Sequence, residues 1–177
     1  MTTSGGGTPR PTAPEATGTK GARRAVELTR VSKARFTARN GRGGTIEVGE
    51  GDDGTFSPVE LLLTAIAACT GMDVDYITAK RAEADRMTLS VSADKIRDEH
   101  GNRLVDIRLV FDVAFPATAG GAAARTVLPS AVQRSHDRLC TVSRTVEVGT
   151  PVEVEVLPVT DDAPRTAPFR PEPGRQD

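Results

Sequence analysis

The chain reads as an α+β domain with two antiparallel sheets, a central cysteine-bearing helix and a second helix, in the order β-β-β-α-β-β-α-β. Three observations predict it. Two alternating apolar/polar stretches, from Met87 and from Val105, face each other across a polar turn. Ser57-Pro58-Val59-Glu60 opens a run without charge from Leu61 to Met72. Paired glycines at Gly43-Gly44 and Gly120-Gly121 punctuate the chain.

Val26 to Arg39 mixes β-branched and basic residues and predicts two short strands or one bent one. The Asn40-Gly41 pair and Gly43-Gly44 mark a turn, and Thr45-Ile46-Glu47-Val48 follows as a third strand. Gly49 to Phe56 is an acidic, glycine-containing loop. Ser57 is then a favourable N-cap, Pro58 suits the first helical position, and Glu60 stands three residues after the cap, a capping box. The helix is predicted to run to about Ala82, with a polar later half (Asp73, Asp75, Lys80, Arg81). Its uncharged core, at ~1.5 Å per residue, spans roughly 18 Å, short of a hydrocarbon layer of about 30 Å. That argues for a helix wrapped by the rest of a soluble fold, with no membrane partner.

Met87, Leu89, Val91 and Ala93 alternate with polar residues, as do Val105, Ile107, Leu109, Phe111, Val113 and Phe115. With Asp98 to Asn102 as the turn, these predict an antiparallel hairpin. A second helix is expected over about Ala123 to Cys140, with Pro129 in an early turn or at a kink and Leu128, Val132, Ser135 and Leu139 inward. Thr141 to Val148 is ambiguous between strand and short helix, and Val152, Val154 and Val156 predict a final strand.

The 177 residues suggest one domain. Residues 1–22 are rich in Thr, Gly, Pro and Ser, and residues 158–177 in proline, so both are expected to be disordered tails around a 23–157 domain. With 23 basic and 24 acidic residues the chain lacks the cationic excess that a phosphate backbone demands, which argues against nucleic acid. No cationic-apolar leader is visible, and two cysteines without one point to the reducing cytoplasm, where a disulfide is usually transient and catalytic. On the residues alone an active pair and two inert buried thiols both stay open.

Cys69 lies on the central helix and Cys140 at the end of the second. Tyr76, seven residues on from Cys69, shares its helical face and is a candidate binding residue. Asp73 and Asp75 read as an exposed charged end, and His136, four residues before Cys140, as a partly exposed polar residue. His100 lies in a turn, and with no C-x-x-C or H-x-x-x-H spacing no metal or other cofactor is expected.

Ser57-Pro58-Val59-Glu60-Leu61-Leu62-Leu63, with Ala67-Ala68-Cys69-Thr70 and Asp73-Val74, resembles the first-cysteine helix of the OsmC/Ohr family. Leu139-Cys140-Thr141-Val142-Ser143 with Gly149-Thr150-Pro151-Val152 resembles its second-cysteine segment, the likeness covering roughly Val26 to Val156. The resemblance implies an OsmC-like, intertwined homodimer with both cysteines near the subunit interface, cytoplasmic, protecting against organic or inorganic hydroperoxides. It implies Cys69 as the peroxidatic and Cys140 as the resolving cysteine, recharged by a dithiol reductant. A thiolate attacks the peroxide oxygen and a second thiol captures the sulfenic acid. The family's peroxidases also supply an arginine from the N-terminal strands, for which Arg30, Arg35 and Arg39 compete, with Arg35 favoured by its mid-strand place.

The pattern departs at Val59, where the active peroxidases carry a glutamate to hold that arginine. Glu60, one place later, is rotated by about 100° and sits about 13 Å along the axis from Cys69, nearly opposite it around the helix. Its capping-box role accounts for it, though it is carried with Tyr76 as a candidate binding residue. The alternative to a peroxidase is a redox-sensing or non-enzymatic dimer that binds a small apolar molecule in the same fold.

Overall fold

A computed structural model describes Gly21 and residues 23–156. Apart from Gly21, the expected tails therefore lie outside the described residues, as does Leu157. Strands β1 (Val26–Ser32), β2 (Arg35–Asn40) and β3 (Thr45–Val48) form an antiparallel three-stranded sheet in that order. Val26–Arg39 thus resolves into two strands, joined at Lys33-Ala34, with a register shift between Arg30 and Ser32.

Pairs that stand directly opposite share a sheet face. Leu28↔Ala38, Arg30↔Phe36, Ala38↔Ile46 and Phe36↔Val48 put Leu28, Arg30, Phe36, Ala38, Ile46 and Val48 on one side. Glu27, Thr29, Thr37, Arg39, Thr45 and Glu47 lie on the other, and Arg35, next to Phe36, also points that way. The first face is apolar, yet Leu28 and Ile46 remain 52% and 53% exposed. The sheet has no extensive packing against any helix or the hairpin, and a bridge from Val48 to Phe56 ties it to the loop before the first helix.

Helix α1 spans Pro58–Thr78 and ends four residues earlier than the sequence suggests. Its N-terminus is the expected capping box: Ser57 Oγ accepts from the Glu60 N–H at 3.3 Å, and Glu60 Oε2 accepts from the Ser57 N–H at 2.8 Å. These bonds from Ser57 hold the Glu60 carboxyl below its ordinary value. At 21 residues α1 is longer than its uncharged core and is long and apolar enough to cross a membrane. Its place is that of a core helix: Ile66, Thr70, Gly71, Val74 and Thr78 are buried, and it packs on α2 and the following strand.

Strands β4 (Arg86–Asp98) and β5 (Gly101–Ala114) form the expected hairpin. Glu99 and His100 turn it, and Gly101 supplies the left-handed φ of 119° that a side chain would resist. Opposite Asp94, one extra residue bulges β5 near Asp106 (φ 52°), shifting the alternation so that Leu104 and Val105 are both half-buried.

Helix α2 (Ala119–Arg134) begins four residues before the predicted start, capped by Thr118, whose hydroxyl accepts from the Gly121 N–H at 3.1 Å. Its fully buried stripe is small, Gly121, Ala124 and Ala131, continued by Ser135. Leu128 and Val132 are half-buried as flanks, whereas Leu139 is 40% exposed. The reason is a change of pitch: Ser135–Leu139 forms a π-helical turn, so Leu139 leaves the inward stripe that a continuous α-helix would give it.

Cys140 then starts a third helix, α3 (Thr141–Val148), which settles the ambiguous stretch as helix. Gly149, at φ 66°, closes it in a left-handed C-cap. The final strand is a correction. Val152, Val154 and Val156 are 80%, 86% and 82% exposed and pair with no strand among the described residues. Alternation marks a segment ready to pair, but a strand needs an edge, and none of the described strands pairs with it.

Candidate functional site

The two cysteines, distant in sequence, meet where α1, the π-helical turn and α3 converge. Cys140 is fully buried and occupies the N-cap of α3, where its Sγ accepts from the Ser143 N–H at 3.4 Å. The Ser143 hydroxyl lies 3.1 Å from the same sulfur. The third neighbour is Thr70 of α1, whose Oγ1 is 3.4 Å from Cys140 Sγ and 3.0 Å from the Ile66 carbonyl. A hydroxyl has one proton, so Thr70 serves either the helix carbonyl or the sulfur.

Burial alone would push the Cys140 thiol up; the hydroxyls of Ser143 and Thr70, the Ser143 N–H and the Cys69 thiol outweigh it and bring the group below its ordinary value. Cys69 is half-buried and moves the other way. Burial pushes it up, the N–H groups of Val142 and Thr141 offset part of that, and the neighbouring Cys140 raises it further. Both sulfurs thus face the first turn of α3, whose free N–H groups and dipole favour a negative charge. Of the pair, Cys140 is shifted toward its charged form and Cys69 toward its neutral one.

The π-helical turn is itself anchored to α1. Ser135, fully buried, donates its hydroxyl to Asp73 Oδ2 at 2.8 Å, and the Cys140 N–H bonds the Ser135 carbonyl at 2.9 Å. Asp73, which reads from sequence as a solvated charge, is half-buried and holds the segment that delivers Cys140. Thr70, Asp73 and Ser143 are the site residues that sequence reasoning missed. The signal for Ser143 was its spacing, three residues after Cys140, the distance at which an N-cap meets its helix.

Other candidates fall elsewhere. Arg35 is ion-paired with Asp53 on the polar side of the sheet. That pairing corrects its expected inward direction; of the three arginines only Arg30 shares the apolar face. Tyr76 is 75% exposed and stands apart from the cavity beside Thr70 and Ser143, and Glu60 is engaged with Ser57. His136 Nδ1 lies 3.5 Å from Glu147 of α3. His100 sits beside Glu99 in the hairpin turn.

A cavity of about 510 Å³ opens against Thr70 and Ser143, the two hydroxyl partners of Cys140. Its wall is otherwise mostly apolar, including Ile66, Leu109, Phe111 and Val132, with His136 and Glu147 adding polar groups. A site of this kind defines a dithiol protein: two thiols, one acidified by hydroxyls and a helix N-terminus, beside an apolar cavity.

A family profile described as OsmC-like protein matches residues 50–155, more than half of the chain, and the chain belongs to that family. An uncharacterized protein of Mycobacterium tuberculosis is 34% identical over 134 residues, 75% of this chain and 95% of its own length. A hypothetical protein from Aquifex aeolicus superposes with a TM-score of 0.59 at 26% identity, over 73% of this chain and 90% of that one. An OsmC-like protein of unknown function from Vibrio cholerae shares the fold, with a TM-score of 0.60 at 16% identity over 71% and 94% of the two chains.

Proposed function

We propose that this protein is a cytoplasmic, thiol-dependent hydroperoxide reductase that uses Cys69 and Cys140 and works as a homodimer recharged by a dithiol. The observation that carries the reading is the convergence of both sulfurs on the first turn of α3. Cys69, the more exposed thiol, is the one a peroxide reaches. Cys140, once it has given its own proton to water, takes the Cys69 proton as the attack begins. Cys69 sulfur then bonds the distal peroxide oxygen, the O–O bond breaks, and the departing alkoxide takes the proton back from Cys140. The Cys140 thiolate displaces hydroxide from the Cys69 sulfenic acid and closes the disulfide. The net change is two thiols and ROOH to one disulfide, ROH and water.

Among the described residues no cation contributes to the ionisation of either thiol, and α3 supplies the positive end instead. Dimerisation is supported by exposed apolar surface in two places. Leu62, Met72 and Tyr76 stand out from the Cys69 side of α1, and Leu28, Phe36 and Ile46 from the N-terminal sheet. Packing that sheet on a second copy would bring the Arg30 guanidinium with it, the arginine on the apolar face. The 510 Å³ cavity also favours a second reading, a small-molecule-binding or redox-sensing dimer of the same fold.

One stoichiometric pulse of cumene hydroperoxide, followed by peptide mass spectrometry, separates the two. The wild type is expected to consume one equivalent and form the Cys69–Cys140 disulfide. Cys140→Ser is expected to leave a sulfenic or sulfinic acid on Cys69, at a rate that climbs with pH because the internal base is gone and Cys69 is held above its ordinary value. Cys69→Ser is expected to react no faster than a free thiol. Oxidation first at Cys140, or at neither cysteine, would overturn the peroxidase reading and favour the binding one.

A further inference from the structure

A second cavity, of about 530 Å³, lies along the seam of α1 and α2 and shares no lining residue with the one beside the cysteines. Gly120, at the start of α2, lies against the Arg81 carbonyl, where an added Cβ would come within 2.6 Å, and Ser135, just past the end of α2, bonds Asp73. The helices are therefore antiparallel, and the small buried residues Ala124 and Ala131 let them approach closely. Ile77, in the last turn of α1, faces Val127, Ser130, Ala131 and Arg134, which share one face of α2 at i, i+3, i+4 and i+7. The floor is apolar, with Ile77 and Val127 half-buried and Ala131 buried. The rim holds Lys80, Arg81 and Arg134, and no carboxylate lines it. Elsewhere Arg35, Arg86 and Arg103 each find an acidic partner; these three cations pair with none among the described residues. Arg81 uses one N–H on the Ile77 carbonyl at 3.3 Å, and Ser130 donates to the Val127 carbonyl at 2.8 Å, so the groove's free donors belong to the cations. Tyr76 is the last exposed large apolar residue of α1; Ile77 is turned about 100° from it toward the seam, so the apolar surface offered to a second copy stops where the groove begins.

We propose that this groove binds a small organic phosphate, its apolar body on Ile77, Val127 and Ala131 and its phosphate held by Arg81, Arg134 and Lys80. Three cations that converge without a carboxylate repel one another, and a bound anion removes that cost. A phosphate monoester carries a charge of about −1.5 to −2 at neutral pH and three acceptor oxygens, where a carboxylate offers one charge and two oxygens. Two planar guanidinium forks and an ammonium match the phosphate: each arginine can take two oxygens, and Lys80 adds a point charge. Size then selects an organic ester over the bare ion. The cavity falls within the range of about 300–1,000 Å³ common to small-molecule sites, and an inorganic phosphate on the rim would leave the apolar floor uncovered. The chain as a whole is nearly neutral, so the attraction is local to the groove and not a property of the surface at large. The inference does not rest on the thiol chemistry.

The test is calorimetric titration of the full chain with phenyl phosphate in a phosphate-free, low-salt buffer. One site per chain is expected, with inorganic phosphate, phenol and benzoate each at least about tenfold weaker. Arg81→Ala and Arg134→Ala should each weaken phenyl phosphate about tenfold, and Arg134→Lys, which keeps the charge and loses the fork, about threefold. Ser130→Glu places a carboxylate inside the groove from an exposed helical position and should abolish binding. All four positions substituted or charged here are exposed, so circular dichroism and Tm should stay close to the wild type, which separates loss of the site from loss of the fold. The double variant Cys69→Ser, Cys140→Ser should bind as the wild type does; a changed affinity would put the ligand in the thiol cavity and overturn the proposal. Sedimentation with vesicles of phosphatidic acid in phosphatidylcholine forms a second arm. Binding to them that is lost in Ser130→Glu assigns the phosphate to a lipid headgroup, and no binding assigns it to a soluble ester. No saturable binding of phenyl phosphate below about 10 mM, equal binding of benzoate or inorganic phosphate, or affinity unchanged in Arg134→Ala and Ser130→Glu overturns the proposal.

Discussion

The N-terminal sheet and the helical body solve the problem of an apolar face in opposite ways. In the body, α1 buries Ile66, Val74 and Thr78 within its own chain, and α2 brings glycine and alanine close enough to exclude water. The sheet of β1, β2 and β3 has a comparably apolar face, built by the same alternation, and leaves most of it open. Both sequences obey their local rules. The difference is that the body finds its complement inside the chain and the sheet does not, which is why fully buried apolar side chains are few and concentrate around α1 and α2. Fully burying a large side chain is worth roughly 1.5–3 kcal/mol, so covering the exposed parts of Leu28, Phe36 and Ile46 would add a few kcal/mol, a sizeable share of the marginal stability of a small domain.

The largest expected effect follows from that contrast. Sedimentation at micromolar concentration should show a homodimer, and Ile46→Asp, which puts a charge in the middle of the open face, should weaken self-association by at least about a hundredfold, some 2.7 kcal/mol. The Ser57 cap and the body's helical signal should persist. A wild-type chain that sediments as a stable monomer would mean that the sheet tolerates its exposed face unaided.

A smaller effect separates the two regions by chemistry alone. Val74 is 0% exposed and Val31 is 67% exposed. Val74→Ala should cost about 2 kcal/mol, from two lost methyl-sized groups and an incompletely relaxed cavity, whereas Val31→Ala should stay within about 0.5 kcal/mol. Chemical denaturation of both variants at one protein concentration measures the pair. Equal losses would show that Val31 is packed in solution and that the second copy covers both sides of the sheet.

What was legible in the sequence divides along the same line. Signals confined to neighbouring residues came through: the Ser57–Glu60 box, the hairpin turn within Asp98 to Asn102 and the strands of the first sheet are each written within a dozen residues. The meeting of Cys69 with Cys140 was legible only through the resemblance, because no local pattern fixes a contact across 71 positions of chain. Thr70 and Asp73 were hidden for a related reason, since their partners, Cys140 and Ser135, lie just past and at the start of a π-helical turn that breaks the 3.6-residue count. The last strand failed differently. Val152 to Val156 carry the right alternation, but a lone strand of that length has no stability of its own, and pairing is not a local property. Arg35 was favoured for its mid-strand place, and only the register, with its shift after Arg30, shows which arginine shares a face with Leu28 and Phe36.

The smallest expected effect tests whether the comparison between sheet and body accounts for the whole of the stability. Residues 1–22 and 158–177 are dominated by Gly, Pro, Thr and charged residues and carry no apolar repeat with which to dock. If all the surface that matters belongs to the sheet, the body and a second copy, removing both tails should shift Tm by no more than about 2 °C, which for a domain of this size corresponds to well under 1 kcal/mol. Self-association should be unchanged at the same protein concentration. The C-terminal cut is best placed after Leu157, because the alternating valines from Val152 are the one flanking segment with an edge-seeking pattern. Differential scanning calorimetry of the full chain and the trimmed one reads the result directly. A loss of several degrees would show that a tail packs on the open sheet face, and the unpartnered surface of β1 to β3 would then have found its complement inside its own chain after all.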